Sequence, residues 1–210
     1  MFLIGVSLYR VKMPLLEPWV TAYGSQKHIE SLFINMRFEN CEGWGECSPA
    51  PQPLYNSEYT AGAFNLSRDV LAPIIIGKNI SSGLELQDMF QHIKGNEFAK
   101  SAFDCAWWDA YSRLLQKPLW QIIGGEKPLV SVGADIPVQP DAKDLIKRVA
   151  EVVTQGFTRV KLKFSRNSNF KIIEAVREAY PELEMHIDCN SGFTLDDLDL
   201  FLLLDKLNLK

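Results

Sequence analysis

The chain has 210 residues, 47% hydrophobic and 23% charged, the make-up of a globular protein with one large or two small domains. Its formal net charge of −4 argues against a nucleic-acid or anionic-membrane surface. No apolar run reaches the roughly 18 residues of a membrane-spanning helix.

Residues 1–48 read as antiparallel strands. Met1-Phe2-Leu3-Ile4-Gly5-Val6 is apolar but lacks the basic start and small-residue cleavage site of a signal peptide, so it opens a first strand over residues 2–11. Residues 30–38 are rich in strand formers, and the glycines of Gly43-Trp44-Gly45-Glu46-Cys47 permit a turn or bulge. Thr21-Ala22-Tyr23-Gly24-Ser25 is expected as a small-residue loop between the first two strands. Pro49-Ala50-Pro51-Gln52-Pro53-Leu54-Tyr55 must be a loop, because each proline removes a backbone donor. Each loop reads either as a substrate lid or as a plain connection. Cys41, Cys47, Cys105 and Cys189 form no Cys-x-x-Cys pair and sit among apolar neighbours, which predicts buried thiols in a reducing cytoplasm.

Helices follow. One is expected over residues 59–71, with Ser57 as its cap and Pro73 near its end, and another over residues 84–93. In the third, Phe98, Ala102, Phe103, Ala106, Trp107, Ala110 and Tyr111 fall on one helical stripe. Alanines at 102, 106 and 110 would let another backbone approach closely, while Asp104 and Asp109 read as surface or hydrogen-bonding groups. Residues 117–125 form a short helix that stops on glycines, and the domain boundary is placed there.

From Leu129 the rhythm becomes strand, helix, strand, helix. A strand over residues 130–136 leads to a helix carrying Leu145, Val149, Val152 and Val153 on one face and ending at Gly156. The next strand is followed by a helix with Ile172, Ile173, Val176 and Ala179. Met185-His186-Ile187-Asp188 is the third strand, Thr194 and Asp197 form a capping box for a further helix, and residues 207–210 begin a fourth strand. This alternation implies right-handed βαβ units on a parallel sheet. An open doubly wound sheet and part of a (β/α)₈ barrel both satisfy it. No glycine-rich phosphate loop follows any strand, which weakens the nucleotide-binding version.

In the second of these strands Val160, Leu162 and Phe164 alternate with Lys161 and Lys163, so both ammonium groups leave one face. A barrel strand with an active site at its end has this pattern, and so has an edge strand with solvated lysines. Asp188 ends the third strand, before Cys189-Asn190-Ser191-Gly192. A carboxylate facing two lysines is either a salt-bridge network or a hard oxygen ligand for Mg²⁺ beside a base. Two close lysines disfavour each other's charge, so one is expected to lose its proton near neutral pH. Such a lysine can remove a proton alpha to a carboxylate while a metal stabilises the enediolate. His186 shares the face of Asp188 and reads as a packed, hydrogen-bonded histidine. His28 and His92 have no companion motif.

Gly43-Trp44-Gly45-Glu46-Cys47, Pro118-Leu119-Trp120-Gln121-Ile122-Ile123-Gly124-Gly125, Lys161-Leu162-Lys163 and Asp188-Cys189-Asn190-Ser191 occur in order and at suitable spacing. Together they resemble the muconate-lactonising branch of the enolase superfamily, most of all its o-succinylbenzoate synthases and N-succinylamino acid racemases. The resemblance runs from the first strand to the last residue. It implies an α+β capping domain over residues 1–125, followed by an incomplete (β/α) TIM-type barrel of about three βα units over residues 126–210. Lys163 would be the acid/base, Lys161 a support for the carboxylate or enediolate, Asp188 the first of three Mg²⁺ carboxylates, and Asn190 a neighbour of metal and substrate. Thr21, Tyr23 and Gly24, with Pro51, Leu54 and Tyr55, match capping-domain loops that close over a small carboxylate substrate.

The reaction the resemblance implies is syn elimination of water from a cyclohexadiene carboxylate on the menaquinone route. Alternatives are an N-succinylamino acid racemase, in which a second lysine works from the opposite face, a dipeptide epimerase, and a non-catalytic remnant that associates through an exposed barrel edge. A full barrel takes about 250 residues, and residues 129–210 supply about a third of that. The other metal carboxylates and the opposite lysine would lie on later strands. The chain alone is therefore expected to be inactive, and to need a complementing C-terminal half-barrel or to form a homo-oligomer.

Overall fold

The computed structural model describes residues 1–21, 24–166 and 168–210. Contacts divide the chain into two compact units, Met1–Pro18 with Lys27–Pro128 and Trp19–Gln26 with Leu129–Lys210. Among the described residues no helix is long and apolar enough to cross a membrane.

The first sheet has strand order β1-β2-β3, with β1 at Leu3–Thr21, β2 at Gly24–Phe38 and β3 at Glu42–Cys47. Of the loop expected over residues 21–25, Ala22 and Tyr23 lie outside the described residues, while β1 runs on to Thr21 and β2 begins at Gly24. There φ is +125°, a value that glycine tolerates and other residues avoid. β3 pairs antiparallel with β2, Asn35 opposite Trp44, and its burial alternates so that Gly43, Gly45 and Cys47 face the core. The 19-residue helix α4, Glu97–Leu115, lies under that face and buries Ala99, Ala102, Phe103, Ala106, Trp107 and Ala110. The fit is backbone against backbone. A Cβ added at Gly45 would fall 1.9 Å from Ala102 O, and one at Gly43 would fall 2.0 Å from Ala106 O.

The alanine spacing had announced this approach. The polar residues beside it are also placed as expected, with Asp109 accepting from Trp44 N at 2.9 Å and Asp104 accepting from Gln87.

The helical region before α4 departs from expectation. It starts as α1, Thr60–Leu66, whose N-cap Tyr59 makes no side-chain cap bond, so Ser57 does not cap it. Glu58 instead accepts from Phe98 N and Ala99 N, capping α4. Pro73 does lie near the end of the helical region, which runs to Ile75 and not only to Leu71. The five residues Ser67–Leu71 form a π-helical turn, and α2, Ala72–Ile75, takes Pro73 into its first turn. A proline inside a helix lacks an N–H and crowds the carbonyl four residues back, and a wider turn just before it relieves that crowding. Helix α3, Gly83–Phe90, is shorter than expected and is capped by Ser82, while α5, Leu119–Ile122, stops before Gly124 at φ +88°.

The second sheet is parallel with order β4-β5-β6: Ala134–Ile136, Arg159–Lys163 and Glu184–Asp188. Helices α6, Ala142–Thr154, and α7, Phe170–Ala179, connect the strands. They are capped by Asp141 and Asn169, which accept from Asp144 N and Lys171 N. Ile136, Leu145, Val149, Val160, Leu162, Ile173, Val176 and Met185 form the core of this unit. Thr194 and Asp197 make the expected capping box, on a 3₁₀ turn, Leu195–Asp197, that leads into α8, Leu198–Asp205.

Two expected strand segments are not strands. Residues 130–133 precede the short β4, and residues 207–210 join no ladder. A strand needs a hydrogen-bonded neighbour, and β5 covers β4 only from Ala134, opposite Val160. At the other end one bond, from Lys210 N to Met185 O at 2.9 Å, fixes the stretch beside β6. The Arg177 guanidinium holds it as well, donating to Leu207 O, Asn208 O, Tyr180 O, Pro181 O and Leu183 O.

Candidate active site

The alternation that buries Val160 and Leu162 turns Lys161 and Lys163 to the opposite face of β5, and the parallel register sets Lys163 beside Asp188 and Lys161 between Asp135 and His186. Lys163 Nζ donates to Asp188 Oδ2 at 2.6 Å and to Asn190 Oδ1 at 3.3 Å, with its side chain only 9% exposed. Lys161 Nζ is 3.3 Å from Asp188 Oδ2 and 3.5 Å from Asp135 Oδ2. Asn190 N donates to Asp188 Oδ1 at 2.9 Å. Of the residues singled out in the sequence, the structure thus brings together Lys161, Lys163, Asp188 and Asn190.

The electrostatics follow from these contacts. The hydrogen bond from Lys163 outweighs burial and, with the Asn190 N–H and Lys161, lowers the Asp188 carboxyl to about 2. Burial works to lower the pKa of Lys161, but Asp135 and Asp188 overcome it and hold the ammonium above the ordinary lysine value. Lys161 therefore does not shed its proton near neutrality, because two carboxylates flank it. The chain after β6 is bent sharply. Asn190 and Ser191 both have positive φ, 46° and 57°, a conformation costing on the order of 1 kcal/mol or more per non-glycine residue. That bend brings the Asn190 side chain back to Lys163.

Asp135 and Arg166 were not foreseen. Asp135 is the polar residue between buried Ala134 and Ile136, and that alternation was its only local signal. Arg166 donates to Gly192 O at 2.8 Å and pairs with Asp197 at 2.7 Å, tying the segment after β5 to the one after β6. His186 is hydrogen-bonded to Glu184 at 3.2 Å. A cleft of about 610 Å³ opens beside Lys163 between the segments that follow β4 and β5, lined by Val138, Pro140, Phe164, Ser168 and Ile172 among others.

The remaining sequence candidates belong to other segments of the chain. Pro51, Leu54 and Tyr55 belong to an irregular segment of the first unit, where Leu54 and Tyr55 are exposed. Gly24 opens β2. Tyr23 and the side chain of Thr21 fall outside the described residues.

A divalent cation does not fit these residues taken alone. Both oxygens of Asp188 are engaged, Oδ2 by two ammonium groups and Oδ1 by an N–H. Among the described residues no group of three or more His, Cys, Asp or Glu is placed to hold a metal ion. Magnesium binding calls for octahedral oxygen ligation, usually from more than one carboxylate or with substrate oxygens. What this chain supplies is acid–base and ion-pairing chemistry from two lysines, one carboxylate and an amide.

Known proteins share this arrangement of elements. The sequence profile of the mandelate racemase / muconate lactonizing enzyme N-terminal domain matches residues 3–124. An o-succinylbenzoate synthase from Listeria innocua is 33% identical over 211 residues, covering 100% of this chain and 56% of its own. An N-succinylamino acid racemase from Thermus thermophilus is 32% identical over 199 residues, covering 95% of this chain and 54% of its own. The crystal structure of an enolase-superfamily member from Listeria innocua superposes with a TM-score of 0.92 at 33% identity, covering 100% of this chain and 57% of that one. The chain thus spans about half the length of the curated relatives it matches.

Proposed function

The chain belongs to the mandelate racemase / muconate lactonizing enzyme family, within the enolase superfamily, and from that membership we propose that its lysine face serves proton transfer at the carbon alpha to a carboxylate. The observation that carries the reading is Lys163, nearly buried and 2.6 Å from Asp188 at adjacent parallel strand ends. Residues at C-terminal strand ends are where parallel α/β folds place their chemistry.

In this reading Lys163 as the free amine takes the alpha proton of a small carboxylate, and Lys161, held as an ammonium, binds the negative charge that develops on the substrate's carboxylate. For o-succinylbenzoate synthesis, the favoured reaction, the Lys163 ammonium returns its proton to the departing hydroxyl, so water leaves and the lysine is reset. Relatives named both synthase and racemase keep N-succinylamino acid racemization as an alternative. Superfamily chemistry of this kind draws on Mg²⁺. The single engaged carboxylate here means that the ion would need oxygen ligands from further barrel strands.

The α+β unit would then be the capping domain, and β4-β5-β6 the opening strands of a (β/α) barrel. The test is turnover of the cyclohexadiene carboxylate with Mg²⁺ present. The chain alone should give none, because one carboxylate does not make the site. Complementation with the remaining barrel units should give activity that Lys163→Ala abolishes. Turnover by the purified chain alone, or complemented activity unchanged by Lys163→Ala, would sink the proposal. A non-catalytic, associating role is the second reading, favoured by the engagement of both Asp188 oxygens, and it predicts no turnover in either case.

A further inference from the structure

We propose that Arg166 is a positioning residue for Lys163, acting through the turn that follows β6. Cys189-Asn190-Ser191-Gly192 is a four-residue turn closed by Gly192 N donating to Cys189 O at 2.9 Å, with positive φ at both central residues. Such turns favour glycine, asparagine or aspartate at their centre. Asn190 suits that preference and Ser191 does not, so the turn is not held by its own sequence. A strained conformation of this kind persists only where its surroundings impose it. The imposing group is Arg166, on the segment after β5. Its Nε donates to Gly192 O at 2.8 Å, and its Nη2 donates to Asp197 Oδ2 at 2.7 Å and to Thr194 Oγ1 at 3.3 Å. The guanidinium also lies over the Phe193 ring, 5.9 Å from its centroid, and Phe193 stacks on Phe164, the neighbour of Lys163. A planar fork spans a carbonyl and a carboxylate at once, which the point charge of a lysine does not.

What the turn delivers is the direction of the Lys163 amine. In the proton-transfer reading, on which this role rests, Lys163 reacts as a neutral amine with two N–H bonds and one lone pair, and only the lone pair takes a proton. With Asp188 Oδ2 as sole acceptor, at 2.6 Å, the amine could still turn about its Cε–Nζ bond. Asn190 Oδ1, at 3.3 Å, is the second acceptor. With both N–H bonds engaged that rotation stops, and the lone pair points away from both oxygens, free for the substrate's alpha proton. Asn190 N also donates to Asp188 Oδ1, so one residue steadies both members of the pair. Arg166 acts at one remove, by fixing where Asn190 lies. Its side chain is half exposed, and exposed ion pairs add little to stability. Its contribution is geometric.

NMR of the isotope-labelled chain tests this. Arg166→Met keeps an apolar stem against Phe193 and removes every donor. In the wild type, Asn190 and Ser191 should show the strong intraresidue HN–Hα NOEs of positive φ. In the variant these should weaken by about twofold or more, as the turn relaxes toward the negative φ usual for non-glycine residues. The order parameter of the Lys163 Cε–H bonds should fall by about half. Amide exchange at buried Val160 and Leu162 should not change. Arg148→Met, which removes an exposed pair with Glu151 on α6, should alter none of these. Weak NOEs in the wild type, or strong ones retained in Arg166→Met, overturn the proposal. So does a relaxed turn with Lys163 still ordered, or a loosening shared equally by Val160 and Leu162. Should Arg166→Met fail to fold, Asp197→Asn withdraws the carboxylate that anchors the guanidinium and is read the same way. None of these signals depends on turnover, so a failure of the complemented activity bears on the reaction and not on the clamp.

Discussion

Lys163 and Asp188 are register partners on neighbouring parallel strands, and their 2.6 Å contact joins the two strand ends. Replacing Asp188 by Asn would leave a nearly buried ammonium facing a neutral amide. The loss of this charge-assisted bond should cost about 1–3 kcal/mol, read by urea unfolding. The pH dependence has a definite sign. A carboxyl lowered to about 2 contributes stability that is complete above its unfolded value near 4, and that is lost as pH falls through 2. The wild-type chain should lose stability across that window more steeply than Asp188→Asn.

Asp135 is expected to act on Lys161 across 3.5 Å. A raised lysine pKa means stabilisation that is present below the unfolded value, near 10.4, and lost as pH rises through the folded one. Asp135→Asn should move the Lys161 midpoint down, measurable by NMR titration of ¹³C-methylated lysines. An unchanged midpoint would show that Asp188 alone sets it.

The thiols should differ sharply in reactivity. Burial, with Glu58 and Glu46 adding to it, pushes the Cys47 thiol up to about 12, whereas Cys105 is exposed. At about pH 8 an alkylating reagent should modify Cys105 in the native chain and reach Cys47 only after denaturation, because the thiolate is the nucleophile. Mass mapping of the alkylated peptides checks this, and early labelling of Cys47 would contradict its burial.

Gly45→Ala tests the contact between β3 and α4. Its new methyl would meet Ala102 O at 1.9 Å, and backbone cannot rotate aside as a side chain can. Overpacking of this kind should cost roughly 3 kcal/mol, seen as a fall in melting temperature of roughly 10 °C. A loss below about 1 kcal/mol would mean that the helix can shift without penalty.

What was legible in the sequence was local. The four-residue alanine spacing on α4, the capping box at Thr194 and Asp197, and the alternation of Lys161 and Lys163 each depend on residues within a turn or a strand of one another. The parts that escaped depend on distant partners. Asp135 matters because parallel pairing sets it beside Lys161, 26 residues on, and nothing near residue 135 encodes that register. Residues 130–133 have strand character but no neighbour to pair with. Pro73 does lie near the helix end, but the π turn over Ser67–Leu71 that precedes it has no signal of its own in the local sequence.

Arg177 gives the last described stretch a particular dependence. Five carbonyl oxygens, two of them from Leu207 and Asn208, converge on one guanidinium that projects from α7. The course of residues 207–210 is thus dictated by a side chain some thirty positions earlier, and assembly acquires an order in time. Until α7 has docked, the Leu207 and Asn208 carbonyls lack their guanidinium, and the stretch is tied to β6 by the Lys210 N to Met185 O bond. In pulse-labelled refolding its amides should gain protection after those of α7, and Arg177→Lys, a point charge without the planar fork, should delay or abolish that protection while leaving α7 itself intact.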